Sequence, residues 1–139
     1  MITDKLIKIN KIIMLKKINF FKTIFHIINL ILVVLYLYPG SILGWLLYND
    51  FSLQPQITRN YAISFNHFFA FLLLSSIGIF SYHNERYFFL LLKYLFLVSI
   101  FLEILHTIIP ERSFQLGDLF GNFLGVFAVV IFYRFWVKS

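Results

Sequence analysis

Four long apolar runs, separated by short polar stretches, predict helices over about 20–38, 61–82, 87–109 and 117–137. Roughly 20 helical residues cross the ~30 Å of hydrocarbon in a bilayer, and each run has about that length. Helices are the only spanning form open to this chain. Backbone groups in lipid must be bonded internally, and four spans cannot close a barrel. The expected fold is therefore all-α: a multi-pass transmembrane bundle of four helices.

The first junction is ambiguous. After Pro39-Gly40, the stretch from Ser41 to Tyr48 is apolar but too short to cross, and it carries Trp45 and Tyr48. Those residue types favour the membrane–water boundary. A short interfacial segment is the expectation, and a tilted continuation of the first helix is the alternative. The basic start followed by Ile27 to Tyr38 resembles a signal peptide, but Pro39-Gly40-Ser41 lacks the small-x-small cleavage pattern, so the helix is read as retained. Residues 1–19 form a basic segment and 20–139 the membrane domain. Met14-Leu15-Lys16-Lys17 offers a second start, which would make 1–13 an extension of the gene model.

Composition supports the membrane assignment. The 139 residues are 60% hydrophobic and 13% charged, with a mean hydropathy of +0.85, against roughly 45–50% and 25% in soluble domains. A chain this short has no interior able to hide the excess. The absence of cysteine excludes disulfides, thiolate metal sites and cysteine nucleophiles.

The net charge of +6 does not indicate a nucleic-acid partner, because the basic residues flank the apolar runs. Lys5, Lys8, Lys11, Lys16 and Lys17 precede the first run and Lys22 lies at its start; Arg86 and Lys93 lie at or near the second turn; Arg134 and Lys138 close the chain. The opposite loops hold only Arg59 and Arg112. Lys and Arg accumulate on the cytoplasmic side, so both termini are expected there.

That orientation gathers the polar residues of the spans near the extracytoplasmic face. Glu103 and His106 share a helix face, as do Asp118 and Asn122, while Asn66 and His67 open the second span. A carboxylate in a span costs about 2.5–3.5 kcal/mol at its centre, so mutual pairing is expected, with Arg112 as the natural partner of Glu103 or Asp118. The cluster His67, Glu103, His106, Arg112, Asp118 and Asn122 is thus either a structural pin or a site for a lipid headgroup or other polar ligand. A hydrolytic or metal-assisted site is a further alternative. No metal or cofactor is assigned, since spacing alone cannot bring residues on three helices to ligand distance, and neither HExxH nor GxSxG is present. Gly117, Gly121 and Gly125 form a small-residue face on the fourth helix, suited to close packing within the chain or, alternatively, to oligomer formation.

Glu103-x-x-His106-x-x-x-Pro110-x-Arg112, followed by Asp118-x-x-x-Asn122-x-x-Gly125, resembles the signature of VanZ-like membrane proteins, approximately E-x-x-Q-x-x-x-P-x-R and then D-x-x-x-N-x-x-G. Asn66-His67-Phe68-Phe69-Ala70-Phe71 is similar to that family's other motif, so the likeness covers roughly Phe25 to Val130. Two positions depart from it: Ile63-Ser64 stands where the family usually has Asp-Lys, and His106 where it has Gln. The resemblance implies a multi-pass protein of the bacterial cytoplasmic membrane, contacting membrane lipids and a lipid-linked or cell-wall ligand. The family's namesake is associated with teicoplanin resistance, a property that fold likeness does not carry to another chain.

Overall fold

The computed structural model describes the backbone of residues 2–57 and 63–136, and the side chains of these except 2–6, 8 and 136. The expected start of the second span at Tyr61, its flanking Arg59, the end of the fourth span at Val137 and the basic Lys138 lie outside the described residues. In chain order the helices are α1 (Ile2–Leu37), α2 (Ile42–Tyr48), α3 (Phe65–Tyr82), α4 (Phe88–Leu105) and α5 (Leu116–Trp136). Among the described residues there are no strands, and α1, α3, α4 and α5 are each long and apolar enough to cross a membrane.

α1 extends well beyond the apolar run. Its 36 residues reach about 54 Å at ~1.5 Å per residue, nearly twice the hydrocarbon thickness. Nothing between Ile2 and Leu37 interrupts it, as neither Pro nor Gly occurs there. The basic segment therefore forms the same helix as the span. Its stop is Pro39-Gly40, where Gly40 takes φ 78°, a conformation costly to any residue with a Cβ.

α2 resolves the ambiguity at the first junction. Ser41 caps it, its Oγ accepting from the Gly44 N–H at 2.9 Å, and Asn49 ends it in the left-handed region. Seven residues span only about 10 Å, too little to cross. Its Leu46 and Leu47 are exposed, Trp45 stacks on Phe51, and the Ser41 N–H donates to the Phe51 carbonyl at 2.7 Å, folding the following loop back. In that loop Asp50 accepts from both the hydroxyl and the N–H of Ser52, which hold its pKa below the usual value.

α4 ends at Leu105, earlier than the apolar run suggests. Pro110 has no N–H and disfavours helix at the residue before it. The N–H groups of His106, Thr107 and Ile108 bond three residues back, tightening the last turn.

The bundle is built on α3 and α5, which make the most extensive contact, with α1 on α3 and α4 bridging both. Its core joins Phe25, Leu32, Tyr36, Phe71, Leu74, Leu91, Leu95, Leu102 and Val126. The glycine face is covered by α3 of the same chain: a Cβ on Gly121 would lie 2.5 Å from the Ser64 carbonyl oxygen, and one on Gly125 2.5 Å from that of Phe68. Gly117 adds a backbone bond, its carbonyl accepting from the Ser64 N–H at 3.1 Å. Outward-facing Leu30, Phe89, Leu97 and Ile104 remain exposed, as lipid-facing residues of a membrane bundle would be.

The end that carries Lys22 and Glu85 is held by polar contacts of ordinary kind. Lys22 pairs with Glu85 at 2.7 Å, His26 bonds the Tyr82 hydroxyl at 2.9 Å, and His83 sits on the Phe80 carbonyl. Serines within the spans return to their own helix, Ser76 to Leu72 and Ser99 to Phe96. Ser75 departs from that pattern, its buried hydroxyl making no hydrogen bond.

Candidate functional site

The C-terminal ends of α1 and α4 and the N-terminal ends of α3 and α5 meet at the end of the bundle that carries α2. His67, Glu103, His106 and Asn122 are buried there, with Asp118 and Arg112 at the edge. The six polar residues picked out in sequence are therefore neighbours in space.

Asn122 is the hub. Its Nδ2 donates to the Ser99 carbonyl of α4 at 3.1 Å, and its Oδ1 accepts from the Tyr36 hydroxyl of α1 at 2.6 Å and lies 3.1 Å from His67 Nδ1 of α3. One fully buried side chain on α5 thus ties together all four long helices. Tyr36 is the residue that the sequence did not reveal. Its hydroxyl also lies 2.9 Å from His67 Nδ1, and its ring stacks on His106 at 5.6 Å. Among 8 tyrosines in a chain rich in aromatics, nothing distinguishes it from the boundary tyrosines until the helices are packed.

Arg112 does not pair with a carboxylate as the sequence suggested. Its Nε donates to the Tyr38 carbonyl at 3.2 Å and an Nη donates to the Leu35 carbonyl at 3.1 Å. His106 Nε2 reaches the Tyr36 carbonyl at 3.1 Å. Together they satisfy carbonyls at the end of α1, which has no partners of its own for its last turn and whose dipole favours a cation there. Burial lowers the Arg112 pKa, with Tyr36, Glu103 and Asp118 nearby acting in the opposite direction.

Glu103 has the complementary role at α5. Its Oε1 accepts from the Gln115 N–H at 2.9 Å, just before the helix begins, where the positive end of the dipole favours a carboxylate. Its second oxygen differs. Oε2 is buried and lies 3.2 Å from His106 Nδ1, but off the line that a hydrogen bond requires, so it has no hydrogen-bond partner. It is also 3.9 Å from His67 Nδ1, while His67 Nε2 faces Asp118 Oδ2 at 3.5 Å.

Among the described residues, two cavities open at this end. The larger, about 250 Å³, is an apolar groove lined by Ile31 and Leu35 of α1, Leu43 of α2 and Leu73 of α3, reaching Tyr36, His67 and Arg112. The smaller, about 90 Å³, is polar, with Ser52, Glu111, Gln115 and Asp118 in its wall. Ser41, Gln54, His106 and Arg112 line both. Asn66 supports the rim by accepting from the Ile57 N–H and donating to the Pro55 carbonyl. The arrangement can hold an apolar chain beside a polar group.

In comparison with known proteins, no family model, no curated protein and no solved structure matches the chain.

Proposed function

We propose that this chain is a VanZ-like protein of the bacterial cytoplasmic membrane that binds an amphiphile at its extracytoplasmic end, without chemistry of its own. One observation carries the reading: the apolar groove and the polar cavity share a wall at Ser41, Gln54, His106 and Arg112. An acyl or polyprenyl chain would occupy the groove, its polar head lying against Arg112. Arg112 spends two N–H groups on α1 carbonyls and has five in all, so three are left for a ligand.

A photoreactive phosphatidylglycerol carrying a diazirine on its acyl chain tests this in the intact protein. Cross-links are expected to concentrate on Ile31, Leu35, Leu43 and Leu73. Arg112→Ala is expected to reduce them about tenfold, since a charge-assisted hydrogen bond contributes about 1.5–3 kcal/mol and ~1.4 kcal/mol is tenfold in affinity. Labelling spread evenly over the lipid-facing residues, and unchanged in Arg112→Ala, would overturn the reading.

The orientation has its own test. Reporter fusions at Gln56 and at the C-terminus are expected to report opposite sides, Gln56 outside and the C-terminus inside. The positive-inside bias of the six lysines before and at the start of the first apolar run supports that result. An external C-terminus would refute it.

A further inference from the structure

We propose that His67, Glu103 and Asp118 bind a single divalent transition-metal ion, of the zinc or manganese class, with His106 beside them as an additional nitrogen donor. The argument starts from where the protons must be. Asn122 turns its Nδ2 to the Ser99 carbonyl, so its oxygen faces Tyr36 and takes the hydroxyl proton. With that proton committed, His67 Nδ1 must be the donor toward Tyr36 and Asn122. His67 Nε2 is then a bare lone pair, and it faces Asp118 Oδ2 at 3.5 Å. His106 obeys the same logic. Its Nε2 meets a backbone carbonyl and must donate, leaving Nδ1 as a lone pair 3.2 Å from Glu103 Oε2.

Each imidazole lone pair therefore faces a carboxylate oxygen, His67 Nε2 that of Asp118 and His106 Nδ1 that of Glu103, and the nearby Arg112 donates to α1 carbonyls instead. Acceptors so placed repel unless positive charge lies among them. Bridging protons fit poorly. A charge-assisted hydrogen bond runs at about 2.7–2.9 Å, whereas these contacts are 3.2 and 3.5 Å, and Glu103 Oε2 has no hydrogen-bond partner. A metal fits better. Ligands at about 2.0–2.2 Å from a tetrahedral ion stand roughly 3.3–3.6 Å apart. One donor atom each from His67, Glu103 and Asp118 falls within 4.8 Å of the other two.

The surroundings match those of metal-binding histidines, which donate their other N–H to a fixed acceptor. His67 does so to Tyr36 and Asn122, and His106 to the Tyr36 carbonyl. Asp118 and His106 also line the polar cavity, which gives an ion a way in. One nitrogen with two carboxylates, or two with two, suits zinc or manganese rather than calcium, which takes oxygen ligands.

The test uses the full chain, purified in a non-chelating detergent, stripped with EDTA and titrated with Zn²⁺ and, separately, Mn²⁺. No lipid is added, so the result is independent of amphiphile binding. One equivalent of one of these ions per chain is expected to remain after gel filtration and to raise the melting temperature. Asp118→Asn and Glu103→Gln, the latter retaining an acceptor for the Gln115 N–H, are each expected to weaken binding by at least tenfold. Stoichiometric binding of neither ion by the wild type would overturn the proposal whatever the variants do, and so would variants that bind as tightly as the wild type.

Discussion

Asn122→Leu is expected to destabilise the protein by roughly 2–4 kcal/mol, measured as a shift in thermal or SDS-induced unfolding of the detergent-solubilised chain. Leucine is close in size, so the loss is one of bonding. The substitution leaves the Tyr36 O–H proton without its acceptor, leaves His67 Nδ1–H only the Tyr36 oxygen, and removes the second bond on the Ser99 carbonyl, all among buried groups. Hydrogen bonds between membrane helices average only about 0.6 kcal/mol, because the unfolded chain also finds partners in the membrane. Leaving a buried polar group unpaired costs more, about 1–3 kcal/mol. Tyr36→Phe separates the two effects. It removes one donor and leaves Asn122 its bond to Ser99, so it should cost about 1 kcal/mol. An Asn122→Leu protein as stable as the wild type would mean that this hub does not hold the helices together.

How far this end of the bundle can be read in sequence depends on the kind of contact. Hydropathy located all four spans, because the need to satisfy backbone groups in lipid acts on each helix separately. The convergence of His67, Glu103, His106, Asp118 and Asn122 could also be anticipated. Each sits near the end of an apolar run, and runs of similar length going back and forth place alternate ends at one level. Partner choice could not be anticipated. Arg112 looked like the mate of a carboxylate, yet it bonds Leu35 and Tyr38 carbonyls that come within its reach only when α1 ends beside the α4–α5 turn. Glu103 likewise takes a backbone N–H at the start of α5. Backbone groups at helix termini carry no mark in the sequence, but they compete for charged side chains as strongly as opposite charges do. The unbroken helix from Ile2 was missed for a different reason. A basic stretch does not look like a span, but lysine is a good helix former and no residue there stops the helix.

The glycine face was legible as a packing surface, and its occupant leads to the prediction with the largest effect. Gly125→Leu is expected to abolish the folded bundle or destabilise it by more than about 3 kcal/mol, read out as loss of monodisperse protein after detergent extraction. Overpacking a core usually costs about 1–3 kcal/mol, since side chains rotate away. Here the first added atom already meets backbone: it would lie 2.5 Å from the Phe68 carbonyl oxygen, 2.9 Å from the Leu72 nitrogen and 3.0 Å from the Phe71 Cβ. A helix backbone cannot rotate aside, so α5 must translate away from α3. That movement draws Asn122, three residues earlier on α5, away from His67 and Tyr36, so the damage reaches the polar end as well. Gly125→Ala should show the same defect in milder form, because the Cβ itself makes these contacts. If Gly125→Leu instead gave a stable protein, α5 would not pack on α3 in this register, and the site at the end of the bundle would have to be rebuilt on a different helix pairing.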